Sequence, residues 1–204
     1  FEQEYFNDDI SGWDVSSVTN MSRMFKAAST FDQNIGEWVV SSVTDMSEMF
    51  DDAISFNKDI SKWDVSNVND MHGMFANAER FNNGDEPGQN NYPLKWDVSS
   101  VTDMSEIFMD TINFNQYIGS WNVSNVNDMH AMFLGALSFN NGDIPRKSDN
   151  PLKWDVSNVT NMNDMFFAAL NFNQNISTWN VSKAISNMNN MFRQCYIDET
   201  HKPL

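Results

Sequence analysis

Seven tryptophans set the frame of this chain. Trp13, Trp38, Trp63, Trp96, Trp121, Trp154 and Trp179 stand 25, 25, 33, 25, 33 and 25 residues apart. Self-similarity at a period of roughly 20 to 50 residues marks an array of stacked units, none able to bury its apolar side chains alone. The two longer intervals carry their extra residues at the same place. "FNNGDEPGQNNYPLKW" ends at Trp96 and "FNNGDIPRKSDNPLKW" at Trp154, where another coil has only "FDQNIGEW". These define insert loops 82–93 and 140–151, whose Pro and Gly favour irregular backbone.

Aligned on Trp, the apolar positions fall into columns. Val15, Val40, Val65, Val98, Val123, Val156 and Val181 come two after it. A second Val column runs through Val18, Val43, Val68, Val101, Val126 and Val159. Met21, Met46, Met71, Met104, Met129 and Met162 follow, then Met24, Met49, Met74, Ile107, Met132 and Met165, each with a Phe directly after, as in Phe25 and Phe50. A small residue comes next, such as Ala28 or Ala53, and a second Phe precedes each Trp, as Phe6 and Phe31 do. Most coils add an Ile three before Trp, such as Ile35 or Ile118. Stacking would lay like residue over like, in continuous interior ladders.

Within a coil, Trp-Asp-Val alternates and reads as a short strand with Trp and Val inward. Asp45 followed by Glu48 fits a helix N-cap with a reciprocal acid. Met46, Met49 and Phe50 then share one helical face. The expected fold is therefore α/β: a solenoid of about seven 25-residue coils, each a short strand plus a short helical turn, in a single repeat array over residues 1–204. "FEQEYFNDDI" begins inside a repeat, so a piece of a longer protein is expected.

These words resemble a known family. W-[DN]-V-S, M-x-x-M-F and F-N-x-x-I, as in "VTDMSEMFDDAISFNKDISKWDVSNV", are similar to the DUF285 or BspA-like leucine-rich repeat of bacterial surface proteins. The resemblance spans essentially the whole chain. It implies a leucine-rich-repeat-like solenoid on a secreted or cell-surface protein, used for adhesion or partner binding, with no catalytic residues. The two inserts and Val39, at the usual Asp or Asn position, depart from the pattern.

Function is then sought on the outside. Asp14, Asp64, Asp97, Asn122, Asp155 and Asn180 form an outward column, interrupted by Val39, and Ser42, Asn67, Ser100 and Asn125 run beside it. This stripe is the candidate partner-binding surface, with Asp85, Glu86, Tyr92, Asp143 and Arg146 of the insert loops as a second candidate. A polar exterior is also what keeps any stacked array in solution. Paired carboxylates on adjacent coils would lie about 5 Å apart, but a flat ladder offers no enclosure to separate their pKa values.

A formal net charge of −16 excludes a phosphate-backbone partner and electrostatic docking on anionic membranes. No apolar run is long enough to insert in a bilayer. No metal site and no cofactor are expected. "NNGDEP" and "NNGDIP" lack EF-hand spacing and would hold calcium weakly at most. His72 and His130 share a column but lie two coils apart, too far for one zinc. Cys195 occupies the small column as a packed thiol. The reading is a non-enzymatic binding or adhesion module, extracellular or at the cell surface, for a protein or glycan ligand. A structural spacer stalk and a calcium-dependent binding module are the alternatives. Head-to-tail self-association through the open ends is a further expectation.

Overall fold

The computed structural model describes residues 4–203. Successive coils lie directly upon one another, and the columns read from the sequence become ladders. Trp38, Trp63, Trp96, Trp121, Trp154 and Trp179 are buried, and so are the Val, Met and Phe columns between them. Trp96 stacks on Trp121 at 6.3 Å between ring centroids, and Trp121 on Trp154 at 6.5 Å. The two Phe columns pair face to face within a coil, as Phe75 and Phe81 do at 4.0 Å, and also between coils, as Phe75 and Phe108 do at 5.7 Å. Trp13 lies at the N-terminal end of the described stack, against Trp38 on one side, and is 53 % exposed.

The local structure corrects the expected α/β solenoid. Among the described residues the only helix is a three-residue 3-10 turn, Glu199–His201. The strands shrink to isolated parallel bridges linking Asn20, Asp45, Asp70, Asp103, Asp128 and Asn161 in sequence. Each coil is a succession of turns, so no leucine-rich-repeat sheet with helices behind it forms.

The segment read as a helix shows why. Met46, Glu48, Phe50 and Asp52 donate their N–H groups to Asp70, His72, Met74 and Ala76 of the next coil. Met49, Asp51 and Ala53 donate instead to the carbonyl three residues back. A helix would need every N–H for its own i→i−4 ladder. Here alternate N–H groups leave for the neighbour, and tight turns take the rest. That path needs left-handed backbone twice per coil: Arg23 and Ala27, Glu48 and Asp52, Glu106 and Asp110, Asp164 and Ala168 all have φ between 52° and 60°. Each such non-glycine residue costs about 1 kcal/mol. The four cross-coil bonds offset it, and they recur at every junction from the first coil to the seventh.

The expected Trp-Asp-Val strand fails for a different reason. The Asp14 carboxylate accepts the Ser16 N–H, closing a turn where an extended strand would run on. Asp64 and Ser66, Asp97 and Ser99, and Asp155 and Ser157 repeat that turn.

The indole N–H of each buried Trp is satisfied across the stack. Trp38 Nε1 donates to the Ile10 carbonyl, Trp63 to Ile35 and Trp96 to Ile60. In the two long coils Leu94 and Leu152 take over the buried position that Ile holds elsewhere, and their carbonyls receive Trp121 and Trp179.

Two substitutions separate stacking from local conformation. Trp96→Ala, with neighbours on both sides, should cost about 3–5 kcal/mol in urea unfolding. Trp13→Ala, at a half-exposed indole, should cost about 1 kcal/mol. Ala27→Gly, exposed and left-handed, should instead raise the melting temperature, by up to about 1 kcal/mol in stability.

Candidate binding face and insert loops

The structure places the outward column where the spacing put it. Asp14, Asp64, Asp97, Asn122, Asp155 and Asn180 are all exposed and lie in register along one face. Each is also employed locally, its Oδ1 accepting the amide of the serine two residues on, at 3.0–3.2 Å. The serine hydroxyl, and after it the serine amide, holds Asp14, Asp97 and Asp155 below the ordinary carboxylate range. The neighbouring column bridges coils. Ser42 Oγ donates to the Ser16 carbonyl, Asn67 Nδ2 to Ser41, Ser100 Oγ to Ser66 and Asn125 Nδ2 to Ser99, at 2.7–2.8 Å. The face is therefore fixed from two sides before any partner arrives.

Val39 interrupts it. With no side-chain oxygen there, the Asx turn is missing, and Val39 is 57 % exposed. It borders a shallow cavity of about 310 Å³ that Trp38, Lys62 and Asp64 also line. Lys62 pairs with Glu37 of the preceding coil at its rim, 2.5 Å apart.

The two insert loops are built alike. Asn82 Nδ2 donates to the Glu86 and Gln89 carbonyls, and Asn140 Nδ2 to those of Ile144 and Lys147. Asn83 donates to Tyr92 O and Asn141 to Asn150 O, while their Oδ1 atoms accept the Ile60 and Ile118 amides. Asp85 is buried and accepts the Asn91 N–H and Nδ2 and the Gln116 Nε2. Burial alone would raise its pKa, yet these donors bring it below the ordinary value. Asp143 repeats the arrangement with the Asp149 N–H and Gln174 Nε2. Of the insert residues singled out in the sequence, Asp85 faces inward as an anchor, Asp143 is half-buried, and Glu86, Tyr92 and Arg146 are on the outside. Arg146 lies over the Tyr196 ring, 4.1 Å from its centroid.

One column escaped the sequence reading. The residue after the second Phe of each coil sends its side-chain oxygen to its counterpart's amide in the next coil. Asn7 accepts Asp32 N, Asp32 accepts Asn57 N, Asn57 accepts Asn82 N, and Asn82, Asn115, Asn140 and Asn173 continue the chain to Asp198 N. The recurrent Phe-Asn or Phe-Asp pair was its signal: a polar residue fixed directly beside a buried aromatic must find a partner inside.

His72 and His130 have separate partners. His72 Nδ1 meets Ser105 Oγ and His130 Nδ1 the Asn163 carbonyl. Among the described residues no three His, Cys, Asp or Glu side chains are grouped so as to hold a metal ion. Burial pushes the Cys195 thiol up to about 11, which keeps it protonated and unreactive at neutral pH. On the turn face, Glu48 receives Arg23 at 2.8 Å and also Lys26, and these cations hold its carboxyl down to about 2.

Two expectations follow. Asn115→Asp keeps the Oδ1 acceptor but removes the Nδ2 donation to the Asp143 carbonyl, so it should destabilise the fold by about 2 kcal/mol in urea unfolding. For Glu48 the folded pKa lies below the unfolded one, so its contribution is present above about pH 4.5 and is lost as pH falls toward about 2. Melting temperatures of wild type and Glu48→Gln should therefore converge across that window.

Against known families, a model described as "Mycoplasma protein of unknown function, DUF285" matches residues 1–92 and 85–200. No curated protein and no solved structure matches the chain. No helix among the described residues is long and apolar enough to cross a membrane. The diagnostic words quoted from the sequence and the match along nearly all of its length agree: the chain belongs to the DUF285 family.

Proposed function

We propose that this chain is a non-catalytic binding module that presents an extended, pre-ordered polar face to a protein or glycan partner at a cell surface or outside the cell. The observation that carries the reading is the double use of the outward column. Every Asp or Asn there is locked by its own serine, and the adjoining Ser and Asn side chains are locked to the preceding coil. The second Asp oxygens and the Asn NH₂ groups project at a repeat of about 5 Å on either side of the gap at Val39. A surface already ordered loses little conformational freedom on association. A net charge of −16 adds long-range attraction for a basic or neutral partner and repels an anionic one.

A spacer role is favoured by a different observation. At least four backbone hydrogen bonds cross every junction, so the stack resists bending and would hold a neighbouring domain at a set distance.

Asparagine already occupies the column natively at Asn122 and Asn180, so Asp64→Asn with Asp97→Asn preserves the turn and removes only charge. On arrays of secreted proteins and of glycans, the wild-type chain should bind a defined set of spots. The double variant should bind them at least about 5-fold more weakly and with less salt dependence. Equal binding by a variant of unchanged melting temperature would exclude the stripe, and absence of any bound spot would favour the spacer.

A further inference from the structure

The two insert loops share their anchors but not their tips. Where the second loop has Asn150, the first has Tyr92, held at the same point by the same kind of bond to its carbonyl. The loops differ beneath that point as well. The Asn150 N–H donates to Gln174 Oε1 at 3.0 Å, whereas the Tyr92 N–H turns to Asp85 Oδ2 at 3.3 Å. Gln116 Oε1, the counterpart of Gln174 Oε1, is consequently buried with no hydrogen-bond partner, the single such side-chain atom among the described residues. A buried acceptor left unmet is destabilising. The first loop thus forgoes a bond that its twin makes, and Tyr92 stands 45 % exposed.

Tyr92 lines an open surface cavity of about 460 Å³ together with Asn34, Asn57, Lys58, Asp59 and Gly84. Two glycines shape it. A Cβ on Gly36 would meet the Asp59 carbonyl oxygen at 2.3 Å, and one on Gly84, with φ of 85°, would lie 3.0 Å from the Asp59 N. The Asp59 backbone is thereby wedged between coils. Asp59 spends one carboxylate oxygen on the Ser61 amide, and Asn34 spends its Oδ1 on the Gly36 amide. The other Asp59 oxygen and the Asn34 NH₂ group have no partner among the described residues. Lys58 is neutralised by Asp32 at 2.6 Å.

We propose that this cavity is a binding site for a neutral oligosaccharide. A tyrosine ring offers an apolar platform for the C–H face of a pyranose. A planar amide and a carboxylate oxygen at its side suit vicinal hydroxyls, one accepting and one donating, and the volume falls in the range of small-ligand sites. The local acids and the overall charge of −16 select against sialylated or uronic sugars. This site rests on the reading of the chain as a binding module, but it is distinct from the outward column. The second insert, with Asn150 in place of the ring, offers no such platform.

The test is a glycan array followed by saturation-transfer NMR with neutral hexasaccharides of glucose, mannose and N-acetylglucosamine. The intact chain should bind at least one of them. Tyr92→Ala should weaken binding at least 10-fold at unchanged melting temperature, Tyr92→Phe should retain it, and Asp59→Asn should weaken it several-fold. Asn150→Ala, in the twin loop, should leave it unaltered. Absence of binding to any neutral saccharide, or equal binding by Tyr92→Ala, overturns the proposal. A chain that binds proteins through its outward column and no saccharide overturns this site alone. Saccharide binding unaffected by Asp64→Asn with Asp97→Asn supports it independently of that column.

Discussion

Everything in this molecule depends on like residues meeting across the junction between coils. Apolar contact alone would let one coil slide on the next, because a ring column is tolerant of small shifts. Directional bonds remove that freedom. The asparagine column ties each coil to the next through a side-chain oxygen that accepts an amide of its counterpart's turn, and the indole N–H of each buried Trp fixes the opposite edge to an Ile or Leu carbonyl. Between these two pins the Phe rings settle into face-to-face pairs. The hydrophobic columns supply most of the free energy, and the polar ones set the register.

The same arrangement explains how the inserts are tolerated. Eight further residues enter before Trp96 and again before Trp154, yet the two Phe ladders run on across both inserts. Asn82 and Asn140 keep their places in the amide column and use their remaining N–H groups to fold the added chain against the stack. The loops are held to the scaffold at their base, their middle and their end. Variation is confined to exposed tips, which is where a scaffold of this kind can differ in function without altering its core.

The sequence made the period, the interior columns and the exposed stripe legible, because burial is imposed on every coil alike and so is written several times over. It misled on local conformation. Met46, Met49 and Phe50 have the spacing of one helical face, but that spacing equally suits consecutive tight turns that bury every third or fourth side chain. What decides between them is the destination of the N–H groups, and a neighbour one coil away is invisible to local pattern. Glu48 and Ala27 gave no warning of left-handed backbone, since neither residue type favours it. Asp14 is legible as exposed but not as the lock on Ser16, and the F-N-x-x-I word marks the family without showing the interior role of its Asn. Tyr92 was legible as a loop aromatic, while the cavity beneath it depends on Gly36, Asn34 and Asp59 of other coils.

The cross-coil bonds do not all point the same way. Met46, Glu48, Phe50 and Asp52 donate toward the C-terminal end of the stack, whereas Asn69, Asn82 and the Trp63 indole donate back toward the N-terminal end. In an α-helix every peptide dipole adds to the last, and the ends acquire fractional charge as the helix grows. Here opposed rows on two sides of each coil largely cancel. Lengthening such a stack coil by coil therefore builds up little axial field, and its two termini can be electrically similar however many repeats lie between them.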